Sequence, residues 1–165
     1  MPRRPAEAAS SVTGVRRFEP ADANATAQVW LRAGLDEYSY LPEFQELDRI
    51  SVLPVFQELI ADPCRIWVYE AAGSVCGFVS IRGGSTVDRL YVDPAWQRRG
   101  AGSALLEHAK RLSPGGLELH THQQNLRALA FYEKAGFVPV RWGISPPPEC
   151  VPDVELHWRP FGDAP

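Results

Sequence analysis

The sequence predicts a single α/β domain built on one sheet of mixed direction, and three observations carry that expectation. The chain is 165 residues long, one domain of ordinary size. Its composition, 45% hydrophobic, 22% charged and 10% aromatic, supports a substantial core and excludes global disorder. The hydrophobic pattern alternates between period two and period 3.6, with no internal repeat and no linker wide enough to divide the chain. Short strands and helices therefore interleave on one sheet.

The elements follow in order. Residues 1–11 carry Arg3 and Arg4 but no apolar run behind them, so they read as a loose, disordered tail and not as a signal peptide. The folded domain is expected over residues 12–165. Residues 12–18 alternate as a first strand. Pro20, Ala21 and Asp22 make a turn, with Asp22 or Asn24 capping a helix. That helix carries Ala27, Trp30, Leu31 and Leu35 at helical spacing, and Gly34 weakens its end. Residues 36–51 are aromatic, acidic and interrupted by Pro42, and no regular element is assigned to them. A second helix spans residues 53–61, ended by Asp62 and Pro63. Strands follow over residues 66–70, 75–81 and 87–92, with turn signals between them. Leu105, Leu106, Ala109 and Leu112 mark one face of the next helix, which stops at residues 113–116. A strand over 117–121, a helix over 125–135 and a strand over 137–142 come next. A proline-rich loop at 145–152 then leads to a last strand at 154–158.

Composition also limits the function. Net charge is −3, so there is no overall basic footprint for nucleic acid. No apolar run approaches the roughly 20 residues needed to cross a bilayer, and a cytoplasmic location is expected. The three cysteines, Cys64, Cys76 and Cys150, form no C-x-x-C pair, which argues against a disulfide framework or a zinc site. No metal is expected. Five acids lie between Asp36 and Asp48 (Asp36, Glu37, Glu43, Glu46, Asp48) with no base among them. Basic residues gather later, at Arg89, Arg98, Arg99, Lys110 and Arg111. Single charges in such runs are ordinarily solvated, but the distribution suits a cationic ligand meeting an anionic one.

The most informative local feature is Gln97-Arg98-Arg99-Gly100-Ala101-Gly102, after the strand Leu90-Tyr91-Val92 and at the opening of a helix. Glycines there let backbone N–H groups approach an anion, and the helix adds its positive end. The Walker pattern fails, because no Lys-Ser/Thr follows Gly102. The dinucleotide pattern fails too, because Leu105 stands where a third glycine belongs. A glycine-bearing helix entry that binds nothing is the competing reading. A second stretch is Asn125-x-x-Ala128-x-x-Phe131-Tyr132-Glu133-Lys134-x-Gly136-Phe137. Seven residues are nearly two helical turns, so Asn125 and Tyr132 share a face and can line a cleft. The plain alternative makes Tyr132 a core residue and Asn125 an N-cap.

Together the two stretches resemble the GCN5-related N-acetyltransferase (GNAT) superfamily, whose acetyl-CoA motif is strand, Gln/Arg-x-x-Gly-x-Gly/Ala, helix. The second stretch is similar to that family's later helix, in order and separation. The resemblance extends over nearly the whole chain. It implies a mixed, mostly antiparallel sheet of about seven strands flanked by about four helices. It implies that Leu90, Tyr91 and Val92 line the pantetheine arm of acetyl-CoA, Leu90 and Val92 through their backbone groups. Gln97 opens the turn, and the amides of Arg98, Arg99, Gly100, Ala101, Gly102 and Ser103 would hold the pyrophosphate. Asn125 would bond the pantetheine, and Tyr132 would point at the thioester sulfur.

The chemistry such a site must do is demanding. A primary amine with a pKa near 10.4 is only about 0.04% neutral at pH 7, so a base or a desolvating site is needed. The leaving thiolate must gain a proton, and Tyr132 is the general-acid candidate. Cys76 is expected in the core and not as an acyl carrier, so the amine attacks directly in a ternary complex. Many relatives carry a glutamate where this chain has Thr86, which leaves Asp88 as the nearest substitute base and His120 as a second candidate. His108 is expected at the surface. Substrate recognition falls to residues 36–48 and 145–152, where Asp36, Glu37, Tyr38 and Tyr40 would hold an ammonium by charge and cation–π contact. The expected function is acetyl transfer from acetyl-CoA to a primary amine, with a small molecule favoured and a peptide N-terminus as competitor. A non-catalytic acyl-CoA sensor is the alternative from another class. No nucleic-acid or membrane partner is expected, and a homodimer is left open.

Overall fold

A computed structural model describes residues 12–47, 51–61 and 64–160. The expected tail (1–11), Asp48, the helix end at Asp62 and Pro63, and residues 161–165 of the expected domain lie outside the described residues. Among those described, the strands are β1 (Gly14–Arg17), β2 (Cys64–Ala71), β3 (Ser74–Arg82), β4 (Thr86–Val92), β5 (Leu117–His122), β6 (Val138–Ile144) and β7 (Pro152–Trp158). The α-helices are α1 (Ala23–Glu37), α2 (Pro42–Glu46), α3 (Val52–Ala61), α4 (Ala101–Leu112) and α5 (Leu126–Lys134). The strands form one sheet in the order β1-β2-β3-β4-β5-β7-β6. Every neighbouring pair is antiparallel except β4–β5. The expected fold class is therefore the observed one.

The alternation of β2 and β3 buries both sides of that half of the sheet. Ile66, Val68 and Phe78 pack with Trp30 and Leu31 of α1 and with Val52 and Phe56 of α3. Trp67, Val79 and Ile81 face the other way, against Leu105, Leu106 and Ala109 of α4 and Tyr132 of α5. A buried side chain of this size contributes about 1.5–3 kcal/mol, so both layers hold the sheet. On β5 the two sides differ. Leu117 and Leu119 are buried, while Glu118 and His120 alternate outwards. The cross-strand partners on that outer face are Glu118 with His157, His120 with Glu155, and His122 with Asp153.

The structure corrects or refines several local expectations. Asp22 does not cap α1 with its side chain; its carboxylate binds Arg16 at 2.7 Å and accepts from the Glu19 amide at 2.8 Å, closing a one-turn 3-10 helix at Pro20–Asp22. Gly34 stands in the last turn of α1, near the end as expected. The helix runs three residues further, to Glu37, and a Cβ on Gly34 would fall within the Phe44 ring. The glycine is there for close packing. Pro42, read as an interruption, opens the short helix α2, where its missing N–H costs nothing. His108, expected at the surface, is half-buried: its ring packs 5.3 Å from that of Trp67, and burial pushes its pKa down. Cys76 lies in the core, fully buried, as expected. Finally, β6 is exposed along its whole length, with a register shift between Pro139 and Arg141.

Candidate active site

The parallel strands β4 and β5 meet at one register pair, Thr86 with Glu118, where the Glu118 amide bonds the Ser85 carbonyl at 2.9 Å. β3 stays paired with β4 as far as Val92. The β5-facing edge of β4 is thus left without a strand partner over the residues that follow. Backbone polar groups so placed need partners, and an extended ligand carrying amides can supply them. A cleft of about 1480 Å³ occupies the gap. Its walls include Leu90, Tyr91 and Val92 of β4 and Tyr132 of α5.

One end of the cleft is the glycine turn. Arg98 and Gly100 take left-handed conformations (φ 60° and 86°), and Gly100 is the N-cap of α4. A side-chain-free N-cap leaves the first-turn amides of α4 open to an anion. Gln97, Arg98, Gly100, Gly102 and Ser103 line the cleft. Arg99 and Ala101 are not among the lining residues: Arg99 lies over the Trp96 ring at 5.0 Å, and Ala101 is buried. Asn125 is also set back. It caps α5 by accepting from the Ala128 amide at 3.1 Å and donates to the Tyr38 hydroxyl at 3.4 Å.

Tyr132 is 8% exposed and packs edge-on against Phe131 and Phe137. Among the described residues, no hydrogen bond to its hydroxyl is found. Burial first, then the neighbouring Tyr38 and the charge of Glu37, hold this phenol well above the ordinary range, so it keeps its proton. Tyr38, at the end of α1, is pushed up to about 12 by burial and then by Glu37. Its ring contacts those of Tyr91 and His122. Glu37 lines the cleft beside it. Burial raises its pKa, against the opposing pull of Arg127 and a hydrogen bond from Asn125. Asp36 is not among the lining residues; it pairs with Arg127, which is, at 2.8 Å.

The far side of the cleft is the polar face of β5 and β7. Asp88 is bound by Arg82 at 2.7 Å and by Arg89. His120 is 51% exposed, with Nδ1 3.2 Å from Asp153. At the position discussed for a glutamate, the Thr86 hydroxyl donates to Glu118 at 2.8 Å, so β5 brings a carboxylate there. Glu118, Glu155 and His157 place ligand atoms within 4.8 Å of one another. Glu155 is already engaged by Arg141 and His157.

Sequence reasoning missed His122 and Glu149. His122 is 8% exposed; Nδ1 lies 2.7 Å from the Tyr40 hydroxyl and Nε2 lies 2.9 Å from Glu149. The signal was available, since period two puts His122 on the face of His120. Nothing local announces Glu149, which reaches the site only because the proline-rich loop folds back over β5.

The seven-stranded sheet thus opens between its two parallel neighbours, with a glycine-turned helix at the opening. Residues 62–139 match the family model of the acetyltransferase (GNAT) domain, the family that the two motifs resemble. It is 39% identical over 71 residues to the peptidyl-lysine N-acetyltransferase YiaC of Escherichia coli. That match covers 43% of this chain and 48% of the relative, so the chain spans about half the length of the curated protein it matches. The solution structure of apo YjaB from Escherichia coli superposes with a TM-score of 0.71 at 24% identity, over 88% of this chain and 97% of that one. A structure of yncA from Salmonella typhimurium with its cofactor acetyl-CoA has a TM-score of 0.66 at 20% identity, over 94% and 98%. Among the described residues, no helix is long and apolar enough to cross a membrane.

Proposed function

We propose that the protein is an acetyl-CoA-dependent N-acetyltransferase acting on a primary amine. The observation that carries this reading is the opening between β4 and β5, with the α4 amides at one end and the protonated Tyr132 phenol on its wall. In this reading the pantetheine arm lies along Leu90, Tyr91 and Val92, and the pyrophosphate meets the first turn of α4. The neutral amine attacks the thioester carbonyl carbon directly; the C–N bond forms, the C–S bond breaks, and Tyr132 gives its proton to the leaving sulfur. The proton lost by the amine passes to a base or to water, and the phenol is reprotonated. Asp88, on β4, and His120, on β5, are the side-chain bases that line the cleft. Asp88 is held by two arginines, which leaves the exposed His120 the freer of the two.

For the acceptor, Glu37 and Tyr38 line the cleft and would meet an incoming ammonium, with Tyr40 outside the lining and Asp36 engaging Arg127. A small-molecule amine is the first reading and a peptidyl lysine the second, the latter favoured by the named activity of YiaC. Both present the same primary alkyl amine. The family match ends at residue 139 and begins at residue 62, so it includes neither the segment carrying Tyr38 and Tyr40 nor the loop carrying Glu149. Calorimetric titration with acetyl-CoA, followed by thiol release with small amines and lysine peptides, tests the proposal. Binding with amine-dependent release supports it, and the amine that works separates the two acceptors. Binding with no release from any amine favours an acyl-CoA sensor, and no binding overturns both.

A further inference from the structure

We infer that His122 is the positioning residue of the acceptor site, tying together the two irregular segments that wall it. The inference rests on the reading of the cleft as an N-acetyltransferase site, and it concerns a residue to which neither motif assigns a role. Tyr40 comes from the turn between α1 and α2, and Glu149 from the loop between β6 and β7. These segments are more than 100 residues apart in sequence, and His122, at the end of β5, bonds both.

The direction of each hydrogen bond is set by its chemistry. A carboxylate only accepts, so His122 Nε2 carries the proton and donates to Glu149. Nδ1 is then an acceptor, and the Tyr40 O–H donates to it. The chain Tyr40, His122, Glu149 therefore runs one way. Burial of the ring and its edge-on contact with Tyr38, 5.1 Å between centroids, fix its orientation. Both ring nitrogens are engaged, so His122 takes no proton from an amine without breaking one of these bonds. This geometry suits a tie and not a base.

The test uses the full chain with His122→Phe, which keeps a ring but no polar atoms, and His122→Gln, which keeps one acceptor and one donor. Amide exchange is read first, because it needs no turnover. His122→Phe should speed exchange in residues 38–47 and 145–151 and leave the first turn of α4 unchanged. With putrescine, Nα-acetyl-lysine methylamide and a lysine tripeptide as probes, the KM of whichever amine the wild type acetylates should rise about 10–100-fold, as expected for two lost hydrogen bonds. The Kd for acetyl-CoA should change less than twofold, and His122→Gln should recover most of the loss. Should His122→Phe fail to fold, Tyr40→Phe and Glu149→Gln each cut one bond and should loosen the same two segments. Unchanged exchange in both segments overturns the inference. So does a fall in kcat at unchanged amine KM that His122→Gln does not rescue, the signature of a base. A wild type that acetylates no amine counts against the proposed function, while the exchange result still decides the tie.

Discussion

Replacing the Tyr132 hydroxyl with hydrogen separates a catalytic phenol from a core aromatic. In Tyr132→Phe the ring keeps its contacts with Phe131 and Phe137 and the buried volume barely changes. No hydrogen bond found among the described residues is broken, so no partner is left unsatisfied, and removing a hydroxyl that opens onto the cleft is close to neutral for stability. The melting temperature should therefore move by no more than about 2–4 °C, equivalent to about 1 kcal/mol in a chain of this size. The rate is another matter. Loss of a positioned acid costs about 10²–10⁴ in kcat, or about 2.7–5.4 kcal/mol in the barrier. Acetyl-CoA binding should be nearly intact. Stopped assays of thiol release, with calorimetry on the same sample, give both numbers. A fall in kcat of less than tenfold would refute the acid role and leave Tyr132 as packing.

Other consequences are as direct. Burial raises the pKa of Glu37, so its folded-state carboxyl holds a proton to higher pH than in the unfolded chain. The stability this gives is present below the unfolded pKa and is lost as pH rises through the folded one. Glu37→Gln should thus raise the melting temperature at pH 7 by about 1–3 °C and not at pH 4, as scanning calorimetry will show. Asp22 behaves oppositely, because its hydrogen bond with Arg16 lowers its pKa. Its contribution is present above the unfolded pKa and disappears as pH falls through the folded one. Asp22→Asn should cost about 1–2 kcal/mol at pH 7 and flatten the acid limb of the stability curve. Gly34→Ala should cost about 1–3 kcal/mol through collision with Phe44, and a denaturant midpoint equal to wild type would contradict that packing.

What was legible in the sequence follows from how local each cause is. The strands and the helices α3, α4 and α5 are set by periodicity and by turn residues close at hand, and they lie within a few residues of expectation. The glycine turn was readable because both its backbone conformation and its glycines sit in six consecutive residues. Gly34 marks the helix end in the sequence, but its packing role is not legible there, because the Phe44 ring arrives from another element. Pro42 misled because a helix breaker and a helix starter look alike until the φ angles are known. Asn125 illustrates the limit for the site: its cap is local and was foreseen as one reading, but its bond to Tyr38 depends on where α1 ends. Asp36 and Glu37 are neighbours with different surroundings, one paired with Arg127 and the other half-buried beside phenols, and no pattern of charges separates them.

The single rung between β4 and β5 also has a mechanical meaning. The sheet is two smaller sheets, β1 to β4 and β5-β7-β6, joined at Thr86 and Glu118 and otherwise held by the helices packed across the seam. Load applied across it is borne by side-chain packing, which yields gradually, and not by a ladder of hydrogen bonds, which shears at once. A ligand lying in the gap as an added strand stitches the two halves together. Its occupancy then becomes a stiffness that is measurable as slowed exchange on both banks, in segments that never touch the reacting atoms.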